Sequence, residues 1–159
     1  MILVAGIGNI FFGDDAFGSE VARRIKDLNT SDVRVVDFGI RGLDFAYELG
    51  NGYDAVIIID TCARGGEPGT IYLIEPDLEE LDNTVPAIEA HTMDPVRVLA
   101  LARSMGAELR NIRIVGCEPE TFEPAYGSMG LSPRVAAAIE PAIRMVQSLV
   151  EKDAKEAIR

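Results

Sequence analysis

The sequence predicts an α/β domain in which helices cover both faces of a β-sheet. Short runs rich in Val and Ile alternate with segments of helical periodicity, and the first three runs show no polar alternation. Parallel strands covered on both faces have this character, because neither side of such a strand meets water. The alternation of strands and helices indicates a layered α/β fold.

Five segments are predicted as strands. They are residues 2–8, 33–38, 55–60, 70–74 and 112–117. Only residues 61–69 separate the third strand from the fourth, which is too little chain for the helical crossover that joins parallel neighbours. We therefore expect the fourth strand to run antiparallel, at or near an edge of the sheet.

Helices are predicted between these strands and at the end of the chain. They cover residues 17–28, 43–49 and 95–105, and a last helix begins at residue 133. Asp94 and Ser132 each precede a proline, which favours a helix start with the polar residue as cap and proline in the first position. Pro141 is expected to kink the last helix, because proline disrupts the preceding turn.

Length and composition predict one cytoplasmic domain. Its expected bounds are residues 1–150, and the charged segment 151–159 is expected to fray. The sequence has no apolar run of the roughly 18 residues that a membrane span needs, and its start lacks the basic region of a signal peptide. The two cysteines lack C-x-x-C spacing and are expected to be free thiols. A net charge of −11 argues against nucleic acid and anionic membranes as partners.

A glycine-rich loop follows the first strand. Gly6-Ile7-Gly8-Asn9 resembles the start of a dinucleotide-binding turn, with Asp37 in place of the ribose-binding acid. Phe11, however, stands where that turn needs a third glycine. Asp14 and Asp15 would also lie at the helix N-terminus, where they would repel a pyrophosphate. We therefore expect no nucleotide cofactor.

Acidic residues end or follow the predicted strands, at the edge where open α/β sheets bind ligands. They are Asp14, Asp15, Asp37 and Asp60. Asp14 is expected to cap the first helix, whereas Asp60 leaves a buried strand, where a carboxylate needs a partner or a metal. His91, the only histidine, lies in a loop before a helix start. Two carboxylates and one imidazole leave coordination positions open and suit nickel, zinc, iron or manganese.

A cysteine nucleophile is the alternative within the same region. Cys62 and His91 would form the nucleophile and its base. No nucleophile-elbow motif surrounds Cys62, and the nearby carboxylate of Asp60 is expected to raise the thiol pKa and reduce its reactivity. Cys117 lies within an apolar run and is expected in the core.

Six features occur together from the first residues to the last helix. They are Gly6-Ile7-Gly8-Asn9-Ile10-Phe11-Phe12-Gly13-Asp14-Asp15-Ala16-Phe17-Gly18, Asp37-Phe38-Gly39-Ile40-Arg41-Gly42, a strand ending in Asp60, a loop with His91, Gly116-Cys117-Glu118-Pro119, and Gly130-Leu131-Ser132-Pro133. In this order they resemble the hydrogenase maturation endopeptidases. The resemblance implies a three-layer α/β/α sandwich around a five-stranded, mostly parallel sheet with one antiparallel strand.

The resemblance also implies the site and the reaction. Asp15, Asp60 and His91 would contact a metal, and Asp15 or Asp37 would act as general base. The metal would be nickel brought by the substrate, although other divalent metals can occupy such a site. The enzyme would remove a C-terminal extension from the large-subunit precursor of a [NiFe] hydrogenase after nickel insertion, with the nickel as recognition motif.

A non-enzymatic alternative uses the same residues. The protein would then be a nickel-checking module that docks on the precursor without cutting it. Intact-mass analysis of the nickel-loaded precursor separates the two hypotheses. Loss of a short C-terminal peptide indicates an enzyme, whereas complex formation at unchanged mass indicates a binding module.

Overall fold

The computed structural model describes residues 1–81, 93–120 and 130–158. Within these residues, five strands form one sheet in the order β2-β1-β3-β5-β4. Their bounds are β1 (Ile2–Ile7), β2 (Val33–Gly39), β3 (Ala55–Thr61), β4 (Ile71–Ile74) and β5 (Ile112–Cys117). β4 pairs antiparallel with β5 at one edge, and the other neighbours are parallel. The structure thus confirms the predicted sheet and its antiparallel edge strand.

Helices cover both faces of this sheet. Their bounds are α1 (Phe17–Arg24), α2 (Gly42–Leu49), α3 (Pro95–Ser104), α4 (Pro133–Ala137) and α5 (Ile139–Ala157). Helices α1, α4 and α5 share one apolar cluster with alternate residues of the central strands, and α2 and α3 share another cluster on the opposite face. In β1, for example, Val4 faces the first cluster and Leu3 the second. The fold is therefore the expected three-layer α/β/α sandwich.

Two of the predicted helices are shortened or divided in the structure. α1 stops at Arg24, and a short 3₁₀ helix, Lys26–Leu28, takes up the rest of the predicted span. The last helix is divided at Ala138, between α4 and α5. Pro141 explains the break, since its ring would clash with the carbonyl four residues earlier in a continuous helix. The expected disruption is therefore confirmed. Asp94 caps α3 as predicted, by accepting a hydrogen bond from Val96 N at 3.0 Å.

The C-terminal segment differs from its prediction. Residues 151–157 continue α5 instead of fraying. Asp153 is buried, and its carboxylate pairs with the buried guanidinium of Arg113 on β5. This pair holds the end of α5 against the sheet. Among the described residues, no helix has both the length and the apolarity needed to cross a membrane.

Glycines bring the start of α1 close to the sheet. A Cβ at Gly18 would lie 2.1 Å from the carbonyl oxygen of Ile59 and 2.2 Å from that of Ile7. Gly8 has a φ of +151°, and a Cβ there would lie 1.9 Å from the carbonyl oxygen of Asp15. No side chain fits in either place. The glycine motif therefore serves helix–sheet packing, which places Asp15 over the ends of β1 and β3.

Candidate active site

A cleft of about 710 Å³ opens at the carboxyl end of β3, between the turn that carries Asp15 and the first turn of α3. This is the edge at which open α/β sheets bind ligands. Its titratable lining consists of Asp15, Asp60, Cys62, Asp77, Glu80 and Asp94. The cleft is therefore acidic and suits a positively charged ligand.

Asp60 lies in the wall of this cleft and is only 6% exposed. Its Oδ1 accepts a hydrogen bond from Thr61 N at 2.7 Å. Burial raises the pKa of the Asp60 carboxyl group well above its ordinary value, and the charges of Asp15 and Asp94 raise it further, whereas the hydrogen bonds from Thr61 oppose the rise. None of the described residues that line the cleft is basic, and a cation beside Asp60 would stabilise its ionised form.

Asp15 faces the same cleft from the turn before α1. The side chain is half-buried, and its Oδ2 accepts a hydrogen bond from Asn9 N at 2.9 Å. The Thr61 hydroxyl donates to its Oδ1 at 3.4 Å. Because Thr61 donates to Asp15 through its hydroxyl and to Asp60 through its backbone N–H, both carboxylates lie within reach of one residue. The structure thus brings together two of the three predicted metal-contacting residues.

The third predicted contact, His91, lies outside the described residues. Its role stays a prediction. Within ranges 1–81, 93–120 and 130–158, no three His, Cys, Asp or Glu side chains form a metal-binding cluster. Asp15 and Asp60 by themselves supply two oxygen ligands, and a cation bound there would need ligands from elsewhere, from His91 or from the substrate.

Asp37 is separate from this pair. Its Oδ1 accepts hydrogen bonds from the Ser19 hydroxyl at 2.7 Å and from Gly39 N at 3.0 Å. Its Oδ2 pairs with Arg23 Nε at 3.3 Å. Asp37 is not among the residues that line the cleft. The structure therefore places this candidate base at the end of β2, with both carboxylate oxygens engaged.

Asp14 does not cap α1, and that prediction is wrong. Ala16 occupies the N-cap position of α1, and no side chain caps the helix there. The fully buried Asp14 carboxylate instead accepts hydrogen bonds from Glu120 N at 2.8 Å, Ser132 N at 2.7 Å and the Ser132 hydroxyl at 2.9 Å. Ser132 is the N-cap residue of α4, but its hydroxyl goes to Asp14 rather than to the helix. Asp14 thus fixes two distant segments beside the turn that carries Asp15.

Two residues near the cleft had no role in the sequence-based prediction. Thr61 contacts both carboxylates, as described above. Glu118 is 4% exposed and accepts hydrogen bonds from the backbone N–H groups of Arg64, at 2.8 Å, and Gly66, at 2.6 Å. Thr61 is the last residue of β3, and Glu118 directly follows β5. The strand-end rule that singled out Asp60 therefore also applies to them.

The cysteines have the character expected of them. Burial raises the pKa of the Cys62 thiol; the carboxylates of Asp60 and Glu118 raise it further, and Arg64 lowers it. Such a thiol carries little thiolate at neutral pH, which disfavours a nucleophilic role. Cys117 is fully buried, and burial raises its pKa to about 12. Its predicted place in the core is confirmed.

Fold and site together define an α/β protein with an acidic cleft at the carboxyl edge of its sheet, and its described residues offer paired carboxylates rather than an activated thiol. Comparisons with known proteins identify the family. A profile of the hydrogenase maturation protease (HycI) family matches residues 18–149. The chain belongs to the hydrogenase maturation protease family and is an endopeptidase.

Individual relatives agree with this family. The chain is 32% identical over 151 residues to the hydrogenase expression/formation protein HupD of Rhizobium leguminosarum. This alignment covers 92% of this chain and 74% of HupD. It is 29% identical over 164 residues to the hydrogenase 2 maturation protease of Escherichia coli, with 99% and 94% covered. The solved structure of HybD, a hydrogenase maturating endopeptidase from E. coli, aligns with a TM-score of 0.75 at 28% identity, over 95% of this chain and 92% of HybD.

Proposed function

We propose that this endopeptidase removes the C-terminal extension of a [NiFe] hydrogenase large-subunit precursor after nickel insertion. Family membership supports a role in hydrogenase maturation. The observation that carries the proposal is the pairing of Asp15 and Asp60 through Thr61 in an acidic cleft. Two carboxylates with no basic side chain among the described residues of the cleft suit a substrate that carries its own cation.

Nickel enters this proposal as part of the substrate. Asp15 and Asp60, together with His91, contact the nickel that the precursor carries. The carboxyl group of Asp60 fits this role, because burial and, to a smaller degree, the neighbouring acids raise its pKa, and a bound cation would offset both effects. Other divalent cations fit the same oxygen ligands, and the site does not select nickel by itself.

Asp15 is the better placed of the two candidate bases. It lines the cleft, whereas Asp37 is not among the lining residues and its carboxylate already pairs with a cation, Arg23. In the proposed step, Asp15 takes a proton from a water whose oxygen attacks the scissile carbonyl carbon. The C–N bond then breaks, and the proton passes to the leaving amine. The acids Asp77 and Glu80 in the same cleft favour a cationic residue before the cut.

Intact-mass analysis of the nickel-loaded precursor tests the proposal. The wild-type protein should shorten the precursor by one C-terminal peptide. Asp15→Ala and Asp60→Ala should each fold and lower the cleavage rate by a factor of about 100 or more, since each removes a contact to the reacting region. Glu108→Ala is the matched control, an exposed acid in the loop before β5, and should cleave normally.

Two outcomes would contradict the proposal in different ways. Normal cleavage by both Asp15→Ala and Asp60→Ala would show that the site is elsewhere. A wild-type protein that binds the precursor and leaves its mass unchanged would support the docking module instead. The cytoplasmic location also stays a prediction, which cell fractionation would test.

A further inference from the structure

Exposed apolar side chains gather around the cleft. The described residues contain ten large hydrophobic side chains that are exposed, and five of these lie at the carboxyl edge of the sheet. They are Phe11, Phe12, Ile40, Leu43 and Val96, and we call this set the apolar rim. Isolated exposed hydrophobic residues are ordinary, whereas several at one edge mark an interaction surface.

Phe11 and Phe12 belong to the turn that holds Asp15. Phe12 N donates to the carbonyl oxygen of Asn9 at 3.1 Å, and Asp15 N donates to the carbonyl oxygen of Phe12 at 3.0 Å. The bond from Asn9 N to the Asp15 carboxylate closes the same turn at 2.9 Å. The turn is therefore fixed by its own hydrogen bonds. It presents two aromatic rings, 62% and 50% exposed, a few residues from a carboxylate of the cleft.

The rest of the rim is also continuous with the site. Gly8 N donates to the carbonyl oxygen of Gly39 at 3.0 Å, which joins the first turn to the loop that carries Ile40. Leu43 follows Gly42, where a Cβ would lie 3.0 Å from the sulfur of Met93, a residue of the cleft wall. Val96 lines the cleft itself. The rim therefore reaches the cleft at Val96, and its other members lie on the segments beside it.

We propose that the apolar rim binds the folded part of the protein substrate, next to the segment that enters the cleft. This inference rests on the proposed function. The cleft is acidic and suits a cation, whereas the rim is apolar and suits a hydrophobic protein surface with aromatic anchor sites. A net charge of −11 disfavours an anionic membrane as the occupant. An endopeptidase that recognises a folded precursor needs such a second contact, because a short extended segment alone buries little area.

Cleavage kinetics on the full nickel-loaded precursor test this role. The double variant Phe11→Ser/Phe12→Ser should raise KM about tenfold or more, since aromatic anchors dominate interface energies. Its kcat should stay within about twofold of wild type, because the rings do not touch the reacting atoms. The ratio of the two KM values should be the same at low and high salt, since an apolar contact is not screened. Met105→Ser is the control, because Met105 is also exposed but lies at the opposite end of the sheet, and its KM should be unchanged.

Other results would overturn the inference. An unchanged KM would show that the rim does not contact the substrate. A wild-type dimer that the double variant converts to a monomer would show that the rim binds a second copy of the chain. If the double variant does not fold, Ile40→Ser/Leu43→Ser replaces it, with the same expected rise in KM. A wild-type protein that fails to shorten the precursor would contradict the proposed function itself, whereas normal wild-type cleavage with an unchanged variant KM would contradict the rim alone.

Discussion

At Asp60, an apolar strand ends in a carboxyl group whose surroundings disfavour its charge. Burial raises its pKa above the ordinary value of 3.8, so the folded protein binds a proton there more tightly than the unfolded chain does. Stability then falls as pH rises through the folded pKa, because the unfolded chain releases that proton more readily. Function and stability therefore oppose each other at this residue.

Asp60→Asn is expected to stabilise the metal-free protein at pH 7 while abolishing cleavage. The substitution keeps an acceptor for Thr61 N and removes a buried charge, and we expect a gain on the order of 1 kcal/mol or more in the free energy of unfolding. The gain should shrink as pH falls from the folded pKa of Asp60 toward the ordinary value of 3.8, because the unfolded chain then also binds this proton. Urea unfolding in the presence of a chelator measures it, and Asp32→Asn, an exposed acid, serves as a neutral control. A variant less stable than wild type at pH 7 would refute the desolvation argument.

Single residues show how far sequence reasoning reaches. Asp60 is predicted from its place at the end of an apolar run, and Asp15 from its place in the segment that follows the first strand, so both follow from local sequence. The capping role predicted for Asp14 is wrong, since its partners Glu120 and Ser132 are more than 100 positions away. No local pattern carries that pairing.

Among the connections between elements, the turn after β3 forms one wall of the cleft. Cys62 and Ala63 line the cleft, and the backbone of the next residues is held by the buried carboxylate of Glu118. The backbone of Glu118 is also held in place, because Glu118 N donates a hydrogen bond to the carbonyl oxygen of Thr70 at 2.9 Å. The turn therefore depends on one side chain at the end of β5.

Glu118→Gln should loosen this turn. The carboxylate takes Arg64 N on both oxygens, at 2.8 and 3.1 Å, and Gly66 N on one of them, at 2.6 Å. The amide nitrogen of Gln cannot accept a hydrogen bond, so the two N–H groups must share one oxygen, and we expect a loss of about 1–3 kcal/mol in the free energy of unfolding. The amides of residues 64 and 66 should also exchange faster with solvent deuterium. Glu67→Gln is the matched control in the same connection, because Glu67 is exposed and its ion pair with Arg134 lies at the surface. Equal stability and exchange in both variants would contradict the role given to Glu118.

The elements themselves were largely predictable. All five strands lie within one residue of their predicted bounds. A strand that is covered on both faces is apolar along its whole length, so the apolar run in the sequence marks where the strand begins and ends. Helix ends were less predictable. Ile25 continues the apolar stripe of α1, yet its backbone has left the helix, with φ −111° and ψ 22°. That choice depends on packing against the sheet rather than on spacing.

At the scale of the whole molecule, the end of α5 is the part that the sequence misjudged. Residues 151–159 contain three acidic and three basic residues, a composition that favours a solvated tail. Asp153 nevertheless lies buried against Arg113, on the face of the sheet that α5 covers. The short β3–β4 connection predicts the antiparallel edge from local spacing, whereas an ion pair between residues 40 positions apart has no local sequence signal.

Deleting residues 151–159 should therefore destabilise the fold without changing the net charge of −11, because three acids and three bases are removed together. The deletion removes Asp153, the partner of the Arg113 guanidinium, together with the last turns of α5, and we expect a loss of about 1–3 kcal/mol measured by urea unfolding. Arg113→Met in the shortened chain should recover part of that loss.

A chain that ends after Ala157 keeps the pair and should be as stable as the full chain. Arg113 is the second residue of β5 and lies at the end of the sheet opposite the cleft. At temperatures well below its melting temperature, the shortened protein should therefore keep the kcat of the full chain. A shortened chain as stable as the full one would mean that this ion pair contributes nothing to the fold, and that the segment behaves as the frayed tail its composition suggests.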